Sequence, residues 1–181
     1  MSGNGHFLAR VSGEVKGNVT LRKQQYRISD NTEQSIKLAR NFITGKVYNC
    51  RWVLERAVRD YSLRIDTDSI KKKSKILYQS LEKIRTCKTS AQLLGLEGEA
   101  AAVYFSVFDE LILQQKEDFT FQGRNRRPPL DNVNAMLSFA YSLLTGMCGS
   151  ALESVGLDAY VGFFHTDRPG RISLALDIME E

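Results

Sequence analysis

Apolar residues recur at three- and four-residue spacing along most of this chain, which is the signature of helices burying one face. After Thr32, a residue suited to a helix start, Ile36, Leu38, Ala39, Phe42 and Ile43 share one side. Gly45 is expected to interrupt or end that helix. The helical pattern resumes over Val47 to Tyr61, with Trp52, Val53, Leu54 and Val58 on an apolar side and Arg51, Arg56 and Arg59 elsewhere, so Trp52 is expected to pack in the core. Ser69 to Cys87 repeats the pattern through Ile76, Leu77, Leu81 and Ile84. Leu94 to Gln114 reads as one long helix whose first half is small (Gly95, Gly98, Ala100, Ala101, Ala102). Two glycines there suggest close backbone packing or a site, since each costs about 1 kcal/mol against alanine in a helix. Asp131 caps or begins a helix from Val133 to Leu144, and Ala151 to Gly156 forms a helical turn. Tyr160 to Phe164 is a short apolar run, Thr166 to Gly170 a loop, and Ser173 to Glu181 a final helix.

The beginning differs. GHFLARVSG and NVTLRKQ are short alternating stretches joined by Gly13 to Gly17, which predicts a β hairpin. A lone hairpin buries too little to be stable, so it must lean on another element. The expected fold is mainly α: a hairpin at 1–27 followed by a helical domain at 28–181.

With 181 residues, 43% of them hydrophobic and 25% charged, the chain can build a real core and is not generally disordered. No window is expected to approach the roughly 20 apolar residues of a membrane span. The start MSGNGHFLAR lacks a basic segment followed by an apolar run, so the cytoplasm is the expected location. Cys50, Cys87 and Cys148 are widely spaced and form no CxxC pair, which argues against a disulfide framework or a cysteine zinc site. The net charge of +4 is compatible with a polyanionic partner.

Charge distribution says more. From Arg64 to Lys88 there are eight Lys or Arg against three acids, a run that usually means a solvated face. Arg124, Arg126 and Arg127 instead crowd a loop stiffened by two prolines, and arginine suits bidentate phosphate contact. Tyr141 and Trp52 are both of a type that stacks on bases, with core packing the expected role for Trp52. His6 reads as a surface residue of the first strand, whereas His165 stands at the mouth of a loop. Asp177 and Glu180 share a helix face, and Glu97 lies among glycines and alanines. One imidazole with two or three carboxylates suits Mg2+ or Mn2+ and does not suit structural zinc. No P-loop, dinucleotide-binding or serine-hydrolase motif occurs in the sequence.

Three segments in order, LLGLEGEAAAVYF at 93–105, RNRRPPLDNVNAMLSFAYSLL at 124–144 and SALESVGLDAYVGFFHTDRPGRISLALDIMEE at 150–181, resemble the Cas-one family of CRISPR-associated integrases and endonucleases. The wording is similar to the subtype I-C branch, and the opening GHFLARVSGEVKGNVTLRKQQYR resembles the end of that family's N-terminal β domain. The resemblance implies a metal held by Glu97, His165 and Glu180, with Glu181 as a substitute for Glu180. Asp177 either contacts metal-bound water or holds His165. Arg124, Arg126, Arg127, Asn134, Ser138 and Tyr141 are implied in placing DNA. It further implies transesterification of DNA phosphodiesters on spacer precursor and repeat, by homodimers bridged by a small ferredoxin-like Cas-two partner, with no membrane. By comparison with the family pattern the chain is expected to be truncated at both ends. That leaves two readings open, an active integrase core or an impaired fragment that only binds nucleic acid or self-associates.

Overall fold

The computed structural model describes residues 19–180. Among them are six α-helices and a short 3-10 turn, and no strand. The helices are α1 (Val19–Asp30), α2 (Thr32–Tyr61), α3 (Thr67–Thr86), α4 (Ser90–Phe105), α5 (Asn132–Ser154) and α6 (Ser173–Met179), with the 3-10 turn at Phe108–Leu111. The mainly helical expectation therefore holds. His6, the hairpin's first strand and Glu181 lie outside the described residues.

The second expected strand is not a strand: from Val19 onward that segment is α1. The reason is that α1 docks through polar side chains, which a hydrophobic pattern does not register. Arg22, Gln25, Tyr26 and Ser29 fall at helical spacing on one face. Arg22 donates to the Gly156 carbonyl at 3.2 Å and Tyr26 to Asp158 at 2.9 Å. Ser29 donates to the Gly162 carbonyl at 3.0 Å. Gln25, only 3% exposed, donates to the Asp158 and Val161 carbonyls at 2.7 and 2.9 Å and accepts from the Asp158 N–H at 2.9 Å. A buried amide with three partners is fully compatible with folding, whereas one without partners would destabilise it.

The chain divides into two compact units, one joining 19–39 to Ala140–Met179 and the other comprising Arg40–Phe139 with Glu180. In the first unit Ile36, Ala39, Leu152, Ala159, Leu174 and Ala175 are buried. In the second, Ile43, Val47 and Leu54 of α2, Ile70, Leu77 and Ile84 of α3, and Leu93 of α4 are at most 1% exposed. The seven-residue spacing of the α3 set keeps one stripe inward. Asp66 accepts from the N–H groups of Asp68 and Ser69 to start α3, and Thr89 accepts from Gln92 to start α4.

Four other expectations change. Gly45 lies inside α2 and does not end it, because the buried stripe on either side outweighs a glycine cost of about 1 kcal/mol. α4 stops at Phe105 and does not reach Gln114. There Tyr104, Phe105, Phe108 and Phe121 form an aromatic cluster with centroids 4.9–5.6 Å apart, for which the chain must turn. The space where a Cβ would sit at Gly95 and Gly98 is open, so these glycines do not serve close backbone packing. α5 runs on to Ser154 and is long and apolar enough to cross a membrane by length and composition, contrary to the sequence expectation. Its first turn is nevertheless tied into a polar loop by the fully buried Asn134. Met136, Phe139 and Met147 on α5 are each at least 60% exposed.

Candidate functional site

In the second unit, α4 presents Glu97 and the residue just after α6 is Glu180. Lys46 of α2 lies between them, its Nζ 2.5 Å from a carboxylate oxygen of each. The two oxygens therefore stand no more than twice that distance apart. All three side chains are 15–18% exposed, and such shielding strengthens their attraction relative to a surface pair. Burial lowers the Lys46 pKa, but attraction to Glu180 and Glu97 outweighs it, and the group ends above the ordinary lysine value. Burial pushes the thiol of Cys50, one turn along α2, up to about 11, although Lys46 pulls the other way.

The sequence pattern does not single out Lys46, because a lone lysine in a helix usually reaches solvent. A signal existed: it falls three residues after Ile43 and one before Val47, both fully or almost fully buried. A lysine bordering a buried stripe needs a counter-charge.

In the first unit, His165 is held by Asp177 of α6. Asp177 is fully buried and accepts four hydrogen bonds, from the N–H groups of Phe163 (2.6 Å), Phe164 (3.0 Å) and His165 (2.9 Å), and from His165 Nδ1 (2.8 Å). A carboxylate accepts only, so Nδ1 carries a proton, and in the neutral imidazole the lone pair is then on Nε2. This is the orienting arrangement found behind metal-binding imidazoles. Of the two roles open for Asp177, the observed contacts are those that hold His165.

Gly162 makes this packing possible. A Cβ there would lie 2.8 Å from the Ser173 Cβ, 2.9 Å from the His165 carbonyl oxygen and 3.1 Å from an Asp177 carboxylate oxygen. Gly162→Ala is expected to lower stability by roughly 1–3 kcal/mol, read by denaturant unfolding; an unchanged midpoint would show that the loop can yield.

The basic loop is braced from within. Asn134 is fully buried; its side chain accepts from Arg124 Nη1 at 2.8 Å and from the Asn125 N–H at 3.0 Å, and donates to the Gly123 carbonyl at 2.9 Å. Asp131 accepts from the Asn134 N–H at 2.7 Å, which is the cap expected for α5. Ser138 lies 3.5 Å from Arg124 Nη1. Asn134 and Arg124 thus hold the loop, while Arg126 and Arg127 are exposed on it. Arg124 and Arg126 also line a cleft of about 460 Å3 with Phe105 and Phe121. Tyr141, half-buried, lies on the part of α5 that belongs to the first unit. Trp52 is not a core residue, being 49% exposed.

Of the residues expected to share a metal, Glu97 and Glu180 meet around one point, and His165 with Asp177 forms a pair in the other unit. Among the described residues no three His, Cys, Asp or Glu side chains gather as a metal-binding group. A point already flanked by two carboxylates and filled by an ammonium is chemically suited to a hard cation, for which oxygen is the preferred donor.

The sequence profile of the family described as CRISPR associated protein Cas1 matches residues 1–181. A CRISPR-associated endonuclease Cas1 of Rhodospirillum rubrum is 51% identical over 98% of this chain, and one of Chlorobaculum tepidum is 49% identical over 98%. The chain spans about half the length of these curated relatives, 52% in each case. Among solved structures, a casposase bound to integration product is 29% identical with a TM-score of 0.75, over 98% of this chain and 50% of that one. A CAS1 protein from Thermotoga maritima is 28% identical with a TM-score of 0.76, over 98% and 53%. A partial Cas6-RT-Cas1–Cas2 complex is 26% identical with a TM-score of 0.81, over 98% and 51%. Motifs, helical architecture and profile agree, and this chain belongs to the CRISPR-associated Cas1 family.

Proposed function

We propose that the chain carries the catalytic core of a divalent-metal-dependent DNA endonuclease and integrase that acts in CRISPR spacer acquisition, of the subtype I-C kind. The observation that carries this reading is the convergence of Glu97 and Glu180 on one cation position. Glu97, Glu180 and His165 through Nε2 are the ligands. Mg2+ or Mn2+ held there would stabilise charge building on the phosphodiester oxygens during transesterification. Asp177 keeps the imidazole in the tautomer that leaves Nε2 available. Arg126 and Arg127 hold DNA phosphates in line for displacement, on the loop that Asn134 braces. Ser138 and Tyr141 are the weaker candidates for substrate placement. The similarity to a casposase bound to integration product supports DNA as substrate, and the likeness to a Cas1–Cas2 complex supports a Cas2 partner for the whole protein. Homodimers are part of the same proposal.

A second reading rests on a specific observation: the Lys46 ammonium already occupies the position between the two acids, so this chain binds nucleic acid or self-associates without catalysis. Incubation with branched and 3′-ended DNA and Mn2+ separates the two, beside Glu97→Ala and His165→Ala. Products from the parent chain alone support the first reading; binding without products, or equal products from all three, supports the second.

Lys46 adds a test that needs no substrate. Lys46→Met leaves two like charges facing each other, so the metal-free variant should melt lower than the parent. Added Mn2+ should raise its melting temperature more than it raises the parent's, through affinity tighter by about tenfold or more, each tenfold being about 1.4 kcal/mol. Equal Mn2+ responses in the two proteins would remove the carboxylate pair from consideration as a metal site.

A further inference from the structure

The outer surface of α2 and α3 carries three large aromatic rings in solvent. Tyr48 is 47%, Trp52 49% and Tyr78 56% exposed. Tyr48 and Trp52 stand one turn apart on α2, with centroids 6.0 Å apart and planes at 66°. The Arg51 guanidinium carbon lies 5.4 Å from the Trp52 ring and 5.3 Å from the Tyr78 ring, so one flat cation links the rings of both helices. This linker is fixed: Arg51 pairs with Glu55 at 3.3 Å, and Glu55 accepts from the Ser74 hydroxyl at 2.5 Å.

This surface is separate from the carboxylate site. At 100° per residue, Tyr48 and Trp52 point well away from Lys46, which faces Glu97 and Glu180. The charge around the rings is positive. Lys71 and Lys75 precede Tyr78 by seven and three residues, on the same face of α3. Both are exposed and have no ion pair among the described residues. The neighbouring acids are engaged, Glu55 with Arg51 and Glu82 with Arg85.

Rings in solvent, a planar cation between them and unpaired ammonium groups alongside match the chemistry of single-stranded nucleic acid. Each base offers a π face to stack, and each phosphate a charge to pair, without any sequence requirement. A duplex keeps its bases stacked on one another and cannot use the rings. We propose that Tyr48, Trp52, Tyr78, Arg51, Lys71 and Lys75 form a second nucleic-acid site, which holds a single-stranded stretch by base stacking apart from the carboxylate pair.

Trp52 is the only tryptophan in the sequence, so its fluorescence reports on this surface alone. The full chain is titrated at low salt with an oligothymidylate of about 10 nucleotides, a length within one stacking site. Saturable quenching of Trp52 is expected, weakening as salt rises. Binding of a labelled oligothymidylate, read by anisotropy, should weaken roughly 5- to 100-fold in Trp52→Ala and in Tyr78→Ala, and Trp52→Phe should recover most of the loss. Both side chains are half in solvent, so unchanged circular dichroism and melting temperature are the folding control. Absence of quenching, equal quenching by a duplex of the same length, or unaltered binding by the alanine variants overturns the proposal. So does a Trp52 signal that changes with protein concentration alone, which would assign the surface to a second copy of the chain.

Discussion

Glu97→Ala should reduce Mn2+-dependent cleavage and strand joining by about 100-fold or more, with folding retained. Loss of a group that stabilises transition-state charge has effects of this size, and Glu97 supplies one of the two oxygens at the cation position. The side chain is 18% exposed, and the Cβ spaces of nearby Gly95 and Gly98 are open, so truncation should disturb little packing. His165→Ala should produce a similar loss for a different reason, removal of the only described histidine whose Nε2 is made available by its hydrogen bonding. Activity assays with matched melting curves check both. Wild-type rates from either variant would mean that the chemistry lies elsewhere.

Asp177→Ala should have the largest effect on stability, about 3–5 kcal/mol. It leaves three backbone N–H groups, of Phe163, Phe164 and His165, facing the place of a fully buried acceptor. Those donors fix the loop between the segment held by α1 and the start of α6. α1 reaches that segment through Gln25 and Ser29, and Ser35 of α2 donates to the Phe163 carbonyl at 2.9 Å. Asp177→Asn is the informative companion: it keeps the shape and some acceptor capacity but places an NH2 group against these donors. Equilibrium urea unfolding measures both variants; a loss below about 1 kcal/mol for the alanine would mean that the loop's donors find other partners.

What could be read from the sequence follows from how each element is held. α2, α3 and the start of α5 bury apolar stripes or use a cap such as Asp131, so periodicity exposes them. α1 is held by Arg22, Gln25, Tyr26 and Ser29, and alternation among residues 18–24 mimics a strand when polar residues do the docking. The early end of α4 depends on Phe121, which is distant in sequence and completes the aromatic cluster. Trp52 sits in an apolar-looking run, yet only the position of α3 decides that its ring shares Arg51 with Tyr78 in solvent.

The site divides in the same way. Glu97, His165, Asp177 and Glu180 stand out in the sequence because their residue types and the wording of the surrounding segments agree. Lys46 does not, since its importance arises from two acids brought to it by α4 and by the end of α6. The sequence groups Asn134 with the DNA-contacting residues, whereas its burial makes it the brace of the loop that carries Arg126 and Arg127.

The most direct test of the account is a crystal structure of the chain with Mn2+, using anomalous scattering to locate the ion. The account predicts one Mn2+ at about 2.0–2.3 Å from carboxylate oxygens of Glu97 and Glu180, with His165 Nε2 as a further ligand and the Lys46 ammonium moved away. An anomalous peak only elsewhere, with Lys46 still bridging the two acids in saturating Mn2+, would contradict it.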